Sequence, residues 1–141
     1  MTTVQEAGAA VAERQPRVLV FSTNGISDPG IDLAGSLHMH YSPEVVVVSL
    51  PCTSAVRPDW VLFALEQGFD GVFIASDGDE CGYLADCSRR SAGIVAEAQA
   101  LLGRRGMDGR RLRMAAICSV CAEPFAQQVR EFARALAEME A

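Results

Sequence analysis

After Pro16 the chain alternates short apolar runs with longer stretches of helical period, four times over. RVLVFS (17–22) is Val-rich and gives way to the polar loop TNGIS. Asp28-Pro29 then supplies a cap and first-turn pair for a helix over about 29–39. VVVVSL (45–50) is nearly all β-branched, the pattern of a strand buried on both faces. The loop PCTSAVR leads to Pro58 and an amphipathic helix, DWVLFALEQ, closed by Gly68; Trp60 and Phe63 in it read as core. GVFIA (71–75) is the third run, and SDGDECG leads from it into a helix over about 84–103, ending at Gly103. RLRMAAI (111–117) is the fourth. CSVCAEP then opens FAQQVREFARALAEME, where Phe125, Val129, Phe132 and Leu136 recur at helical spacing.

Strand and helix alternating in this way predict an α/β domain: a four-stranded parallel sheet, helices on both faces, three layers, Rossmann/flavodoxin-like. The pattern begins at residue 17, so 1–16 read as a flexible N-terminal extension and 17–141 as one α/β domain. A chain of 141 residues buries roughly two thirds of its unfolded surface and needs no metal or disulfide merely to fold.

Composition narrows the function. No apolar stretch approaches the roughly 20 residues of a membrane span. The opening MTTVQEAGAAVAERQ has acids and no continuous apolar core, unlike a signal peptide. The expectation is a cytoplasmic protein without membrane insertion. The net charge of −6 argues against nucleic acid as a partner. Residues 1–88 carry 12 acids against 3 arginines; residues 89–141 carry 9 arginines against 6 acids. This asymmetry suits either orientation toward a protein partner or simple solvated faces.

The five cysteines are the candidate chemistry: Cys52, Cys81, Cys87, Cys118 and Cys121. In a reducing compartment they do not read as a disulfide framework. Cys52 follows the second predicted strand, Cys81 the third, and Cys118 and Cys121 the fourth. In a parallel sheet those carboxyl ends share one edge, where α/β proteins bind ligands. Cys87 lies a turn or two into the third helix. Such thiolates can close a four-cysteine zinc site, hold an iron–sulfur cluster, or, at Cys118 and Cys121, exchange disulfides. Glu123 beside the Cys-x-x-Cys pair, and Asp77, Asp79, Glu80 and Asp86 around Cys81 and Cys87, oppose a free thiolate nucleophile.

Other motifs carry less. His38-Met39-His40 suits the carboxyl end of the first helix. SDGDE (76–80) lacks calcium-loop spacing, and no dinucleotide or P-loop signature occurs. Five arginines within 104–113 fit a phosphate, an acidic partner or solvent. No hydrolase motif is present, so independent catalysis is not expected.

FSTNG, IDLAGSL, the block PCTSAVRPDWVLFALEQGFDGVFIA, DECGYL and RLRMAAI, in this order, resemble the methyl-viologen-reducing hydrogenase delta subunit (hydrogenase iron–sulfur subunit) family over about 17–139. The resemblance implies a small electron-transfer protein with a 2Fe–2S cluster. Its partners would be protein subunits in a hetero-oligomer, linking hydrogenases or dehydrogenases to heterodisulfide reductase-like complexes. The cysteine pattern departs from the family's. Where the family's first loop has Cys-Asn-x-Cys, this chain has Thr23-Asn24-Gly25-Ile26. Its Cys-Ser-Gly-Arg becomes Cys52-Thr53-Ser54-Ala55. Its third-loop cysteines, the second followed by His-Tyr, become Ser76-Asp77 and Cys81-Gly82-Tyr83. Cys52 and Cys81 carry over; Cys118, Cys121 and Cys87 are additions. Two readings stay open. In one the cluster has moved to Cys52, Cys81, Cys118 and Cys121, with Cys87 in reserve and zinc as the competing metal. In the other the cluster is lost and a docking subunit remains; a dithiol protein using Cys118 and Cys121 is third.

Overall fold

In a computed structural model of the chain, residues 16–23, 31, 45–76, 87–117 and 122–140 are described. Four parallel strands, β1 (Val18–Thr23), β2 (Val45–Leu50), β3 (Gly71–Ser76) and β4 (Leu112–Ala116), form one sheet in the order β2-β1-β3-β4. Among the described residues, three complete helices accompany them: α1 (Pro58–Glu66), α2 (Cys87–Arg104) and α3 (Ala122–Glu140). This is the three-layer α/β architecture that the alternation predicts. Of the helix expected over about 29–39, Ile31 is described; it is helical and buried.

Register partners in a parallel sheet share a face, which divides the core in two. Val18, Val20, Phe73 and Ala75 point to one side, where Phe125, Val129, Phe132 and Leu136 of α3 cover them with Ile31. These are the four helical-period residues of the last helix. Phe73 meets Phe125 edge-on at 6.4 Å and Phe132 at 6.0 Å. Phe21, Val72, Ile74 and Leu112 point to the other side, under Val61, Leu62 and Ala64 of α1 and Ala98 and Leu102 of α2.

Both helices on that face end in the same way. The Phe69 amide donates to the Ala64 carbonyl and Gly68 to Leu65; Met107 donates to Leu102 and Gly106 to Gly103. These are paired 6→1 and 5→2 bonds around a left-handed glycine, Gly68 at φ 111° and Gly106 at φ 76°. Gly103, expected to end the second of them, lies inside α2; the stop is Gly106, because only there must the backbone turn left-handed.

Two expectations are corrected. β2 is not buried on both faces: Val46, Val47 and Val48 are 47, 37 and 39 % exposed. It is an outer strand, and α1, which follows it, crosses to pack on α2 and β3 rather than back on β2. Trp60 and Phe63 are not core either, at 38 and 62 % exposed. α1 buries Val61, Leu62 and Ala64, which leaves the Trp60–Phe63 stripe facing outward over Phe21, 6.1 Å from the Trp60 ring.

Four of the five arginines within 104–113 are engaged within the fold. Arg105 pairs with Glu66, Arg110 with Asp108, Arg111 donates to the Asp70 carbonyl, and Arg113 lies over the Phe132 ring.

Candidate functional site at the carboxyl edge of the sheet

All four strands run parallel, so the loops that follow them leave from one edge. The strand order reverses between β1 and β3, and in open α/β sheets such a switch point opens the ligand crevice. The residues that end the strands there are small and hydroxylic: Ser22 and Thr23 on β1 and Ser76 on β3, all buried.

Cys52 reaches this edge from the outside. β2 and β4 are the two outer strands, so their ends stand three strand spacings apart, about 14 Å. A thiol projecting straight from β2 would therefore stay remote from the loops of β3 and β4. The chain instead turns inward. Cys52 is extended, and a single 3-10 turn follows over Thr53–Ala55, closed by Ala55 N–H to Cys52 O and Val56 N–H to Thr53 O. This turn packs on β1, β3 and α2. Thr53, fully buried, shares a 2.9 Å hydroxyl–hydroxyl hydrogen bond with Ser91 of α2, itself buried. The bond ties the loop after β2 to the helix after β3.

Cys52 ends up buried, 5 % exposed, with its Sγ accepting a hydrogen bond from Ser54 Oγ at 3.2 Å. It is a thiol, not half of a disulfide. A buried thiol is one soft donor, whereas a soft metal or an iron–sulfur centre needs several.

The other candidates are placed less completely. Cys81, Cys118 and Cys121 lie outside the described residues, as do His38, His40 and most of the SDGDE loop. Cys87 is the first residue of α2. Ser76 and Ala116, from which the loops bearing Cys81 and Cys118 depart, are register partners on adjacent strands. Among the described residues no group of three or more His, Cys, Asp or Glu side chains converges. The structure thus sets the turn that follows Cys52 against β1, β3 and α2.

Sequence reasoning attended to thiols and passed over the hydroxyls. Ser22-Thr23, Thr53-Ser54 and Ser76 each stand at or just past a strand end, and Ser91 stands in α2. Small polar residues closing otherwise apolar runs were the available signal.

Among the described residues, no helix is long and apolar enough to cross a membrane. The chain is 32 % identical over 137 residues, 93 % of its length, to a subunit of the ferredoxin:CoB-CoM heterodisulfide reductase of Methanosarcina mazei. It spans only 17 % of that relative's length. It is 30 % identical over 125 residues to the iron–sulfur subunit of the F420-non-reducing hydrogenase of Archaeoglobus profundus, covering 85 % of this chain and 88 % of that one. The corresponding iron–sulfur subunit from Methanopyrus kandleri is 34 % identical over 104 residues, 71 % of this chain and 76 % of the relative. The same domain thus occurs as most of a small protein and as a minor part of a larger one. With the sequence model of the methyl-viologen-reducing hydrogenase delta subunit matching residues 18–140, every described strand and helix, this chain belongs to that family.

Proposed function

We propose that this protein is an accessory electron-transfer subunit of a redox complex, holding an iron–sulfur centre at the carboxyl edge of its sheet. The centre is of the 2Fe–2S type, and the partners are a hydrogenase or dehydrogenase and a heterodisulfide reductase-like protein. Membership of the hydrogenase delta subunit family supports the redox setting. The relatives named as hydrogenase iron–sulfur subunits and as parts of heterodisulfide reductase support the partners.

The observation that carries the reading is the inward fold of the Cys52 loop. The turn after Cys52 packs on β1, β3 and α2, the thiol itself is buried, and the Thr53–Ser91 bond ties the loop to α2. Cys52, Cys81, Cys118 and Cys121 are the proposed ligands, with Cys87 in reserve. Four thiolates would hold the centre, which supplies one-electron transfer when bound. The chain's own part is to supply the sulfurs, fix them and screen them from water.

A second reading has its own support. Val46, Val48, Trp60 and Phe63 leave an apolar surface, with an open groove of about 610 Å³ lined by Leu19, Phe21, Trp60, Phe63 and Phe69. A cluster-free docking subunit would need such a surface and no thiolates. The experiment is iron, zinc and acid-labile sulfide content, with a visible spectrum, on protein purified without oxygen. Near-stoichiometric iron and sulfide that fall in a Cys52→Ser variant and in a Cys118→Ser, Cys121→Ser variant support the carrier. Zinc without sulfide points to a structural four-thiolate site. Colourless, metal-free protein that unfolds cooperatively leaves the docking subunit.

A further inference from the structure

We propose that two copies of this chain associate through the apolar face that β2 and α1 leave open, each copy seating its Phe63 in the groove of the other.

The face is continuous and more apolar than the fold requires. Leu19 and Phe21 on β1 are register partners of Val46 and Val48 on β2, so all four share the face on which α1 lies. α1 turns Val61, Leu62 and Ala64 into the core; Trp60 and Phe63, three residues apart on the same helix, stand outside it. They border the open groove of about 610 Å³, whose lining includes Leu19, Phe21 and Phe69. A helix packed on a sheet needs only its inner stripe to be apolar. Two large aromatics on the outer flank add nothing to that packing, and aromatics are enriched where proteins meet.

Three observations select a second copy as the occupant. The first is charge. The chain carries −6, which opposes self-association in general. The charged residues of the groove are nonetheless paired within the chain, Asp59 with Arg57 and Glu66 with Arg105. The rim is therefore neutral, and two identical faces can meet there without repulsion. The second is shape. Phe63, 62 % exposed, projects beside the groove, and an isologous contact needs a projection and a hollow on one patch. The third is area. Val46, Val48, Trp60 and Phe63 together expose about 350 Å² of side chain per copy, the size of the largest patch on a typical monomer. Two such faces with their polar rims come to roughly 1,200 Å², the lower end of specific interfaces, so the dimer is reversible rather than obligate.

The test uses the full chain with a thiol reductant present, so that its cysteines do not link copies. Mass is measured by sedimentation equilibrium over a wide range of concentration. The expected result is a reversible rise from 15.1 kDa toward twice that value. Trp60 is the single tryptophan of the chain, so its emission should shift to the blue, and acrylamide should quench it less, as the dimer forms. Phe63→Glu should weaken association at least about tenfold. Val47→Thr should leave association unchanged, because Val47 is the register partner of Val20 and lies on the opposite face. A chain that stays at 15.1 kDa at every concentration overturns the inference and leaves the face to a different subunit. A dimer that leaves Trp60 emission unmoved, or that forms equally well in a folded Phe63→Glu variant, also overturns it, since the copies then meet elsewhere. If Phe63→Glu folds poorly, the wild-type emission decides the matter. The metal count that tests the iron–sulfur centre is a separate measurement, so failure of the dimer and failure of the carrier are told apart.

Discussion

β2 and β3 read almost alike as sequences, VVVVSL and GVFIAS, and fare differently in the fold. Every residue of β3 is buried, while the middle of β2 is open to solvent on both faces. β3 lies between β1 and β4, with α3 on one face and α1 and α2 on the other. β2 pairs with β1 alone among the described strands. A run of apolar, β-branched residues selects the extended backbone in either place. How much of it is buried depends on what lies beside and above it, which is set by strand order and by where each crossover helix lands.

The largest test of this contrast is Phe73→Ala. Phe73 is fully buried between Phe125 and Phe132, so the change should cost about 3–5 kcal/mol in chemical denaturation. A cost no greater than that of Val48→Ala on β2 would erase the distinction between the strands.

Gly71→Ala probes the same strand from the opposite direction. A Cβ at Gly71 would come within 2.6 Å of Leu136 Cδ1 and 2.8 Å of Phe132 Cζ. Overpacking of this kind should destabilise by about 1–3 kcal/mol, and Leu136→Ala should partly relieve the crowding, a coupling that a double-mutant cycle measures.

Thr53→Val asks whether the exposed strand is nonetheless anchored at its end. Loss of the buried bond to Ser91 should cost about 1 kcal/mol. The same variant should hold iron less well if Cys52 is a ligand, because its loop is then untied from α2.

Val47→Thr, on the open middle of β2, should change stability by less than about 0.5 kcal/mol, since an exposed position offers little burial to lose. A larger loss would mean that this part of the strand is covered in solution.

The smallest effect concerns the approach to β4, the other outer strand. The Arg110 guanidinium donates to the Asp108 carboxylate, which also accepts from the Arg110 amide, and the pKa of Asp108 falls from 3.8 to about 2. A carboxylate depressed in the folded state contributes stability that is present above its unfolded pKa and lost as pH falls through the folded one. Asp108→Asn should therefore flatten a slight loss of stability between about pH 4 and pH 2. The pair faces solvent, so the change should be small and salt-sensitive.

By itself the sequence determined the elements and their class. Apolar runs define the four strands to within a residue or so, the spacing of Phe125, Val129, Phe132 and Leu136 defines the buried face of α3, and Gly68 marks the end of α1. Each of these follows from short-range backbone preference or from a period along one element. The parallel sheet also put Cys52 on the edge where ligands bind. Only the tertiary structure decided that β2 is an outer strand with exposed valines, that Trp60 and Phe63 face outward, and that Arg105, Arg111 and Arg113 meet partners far along the chain. It alone decided that the Cys52 loop turns inward, tied by Thr53 to Ser91 across 38 positions of chain. Those outcomes rest on contacts between residues distant in sequence, and no local period or propensity encodes which strand will be a neighbour or which helix will lie above it.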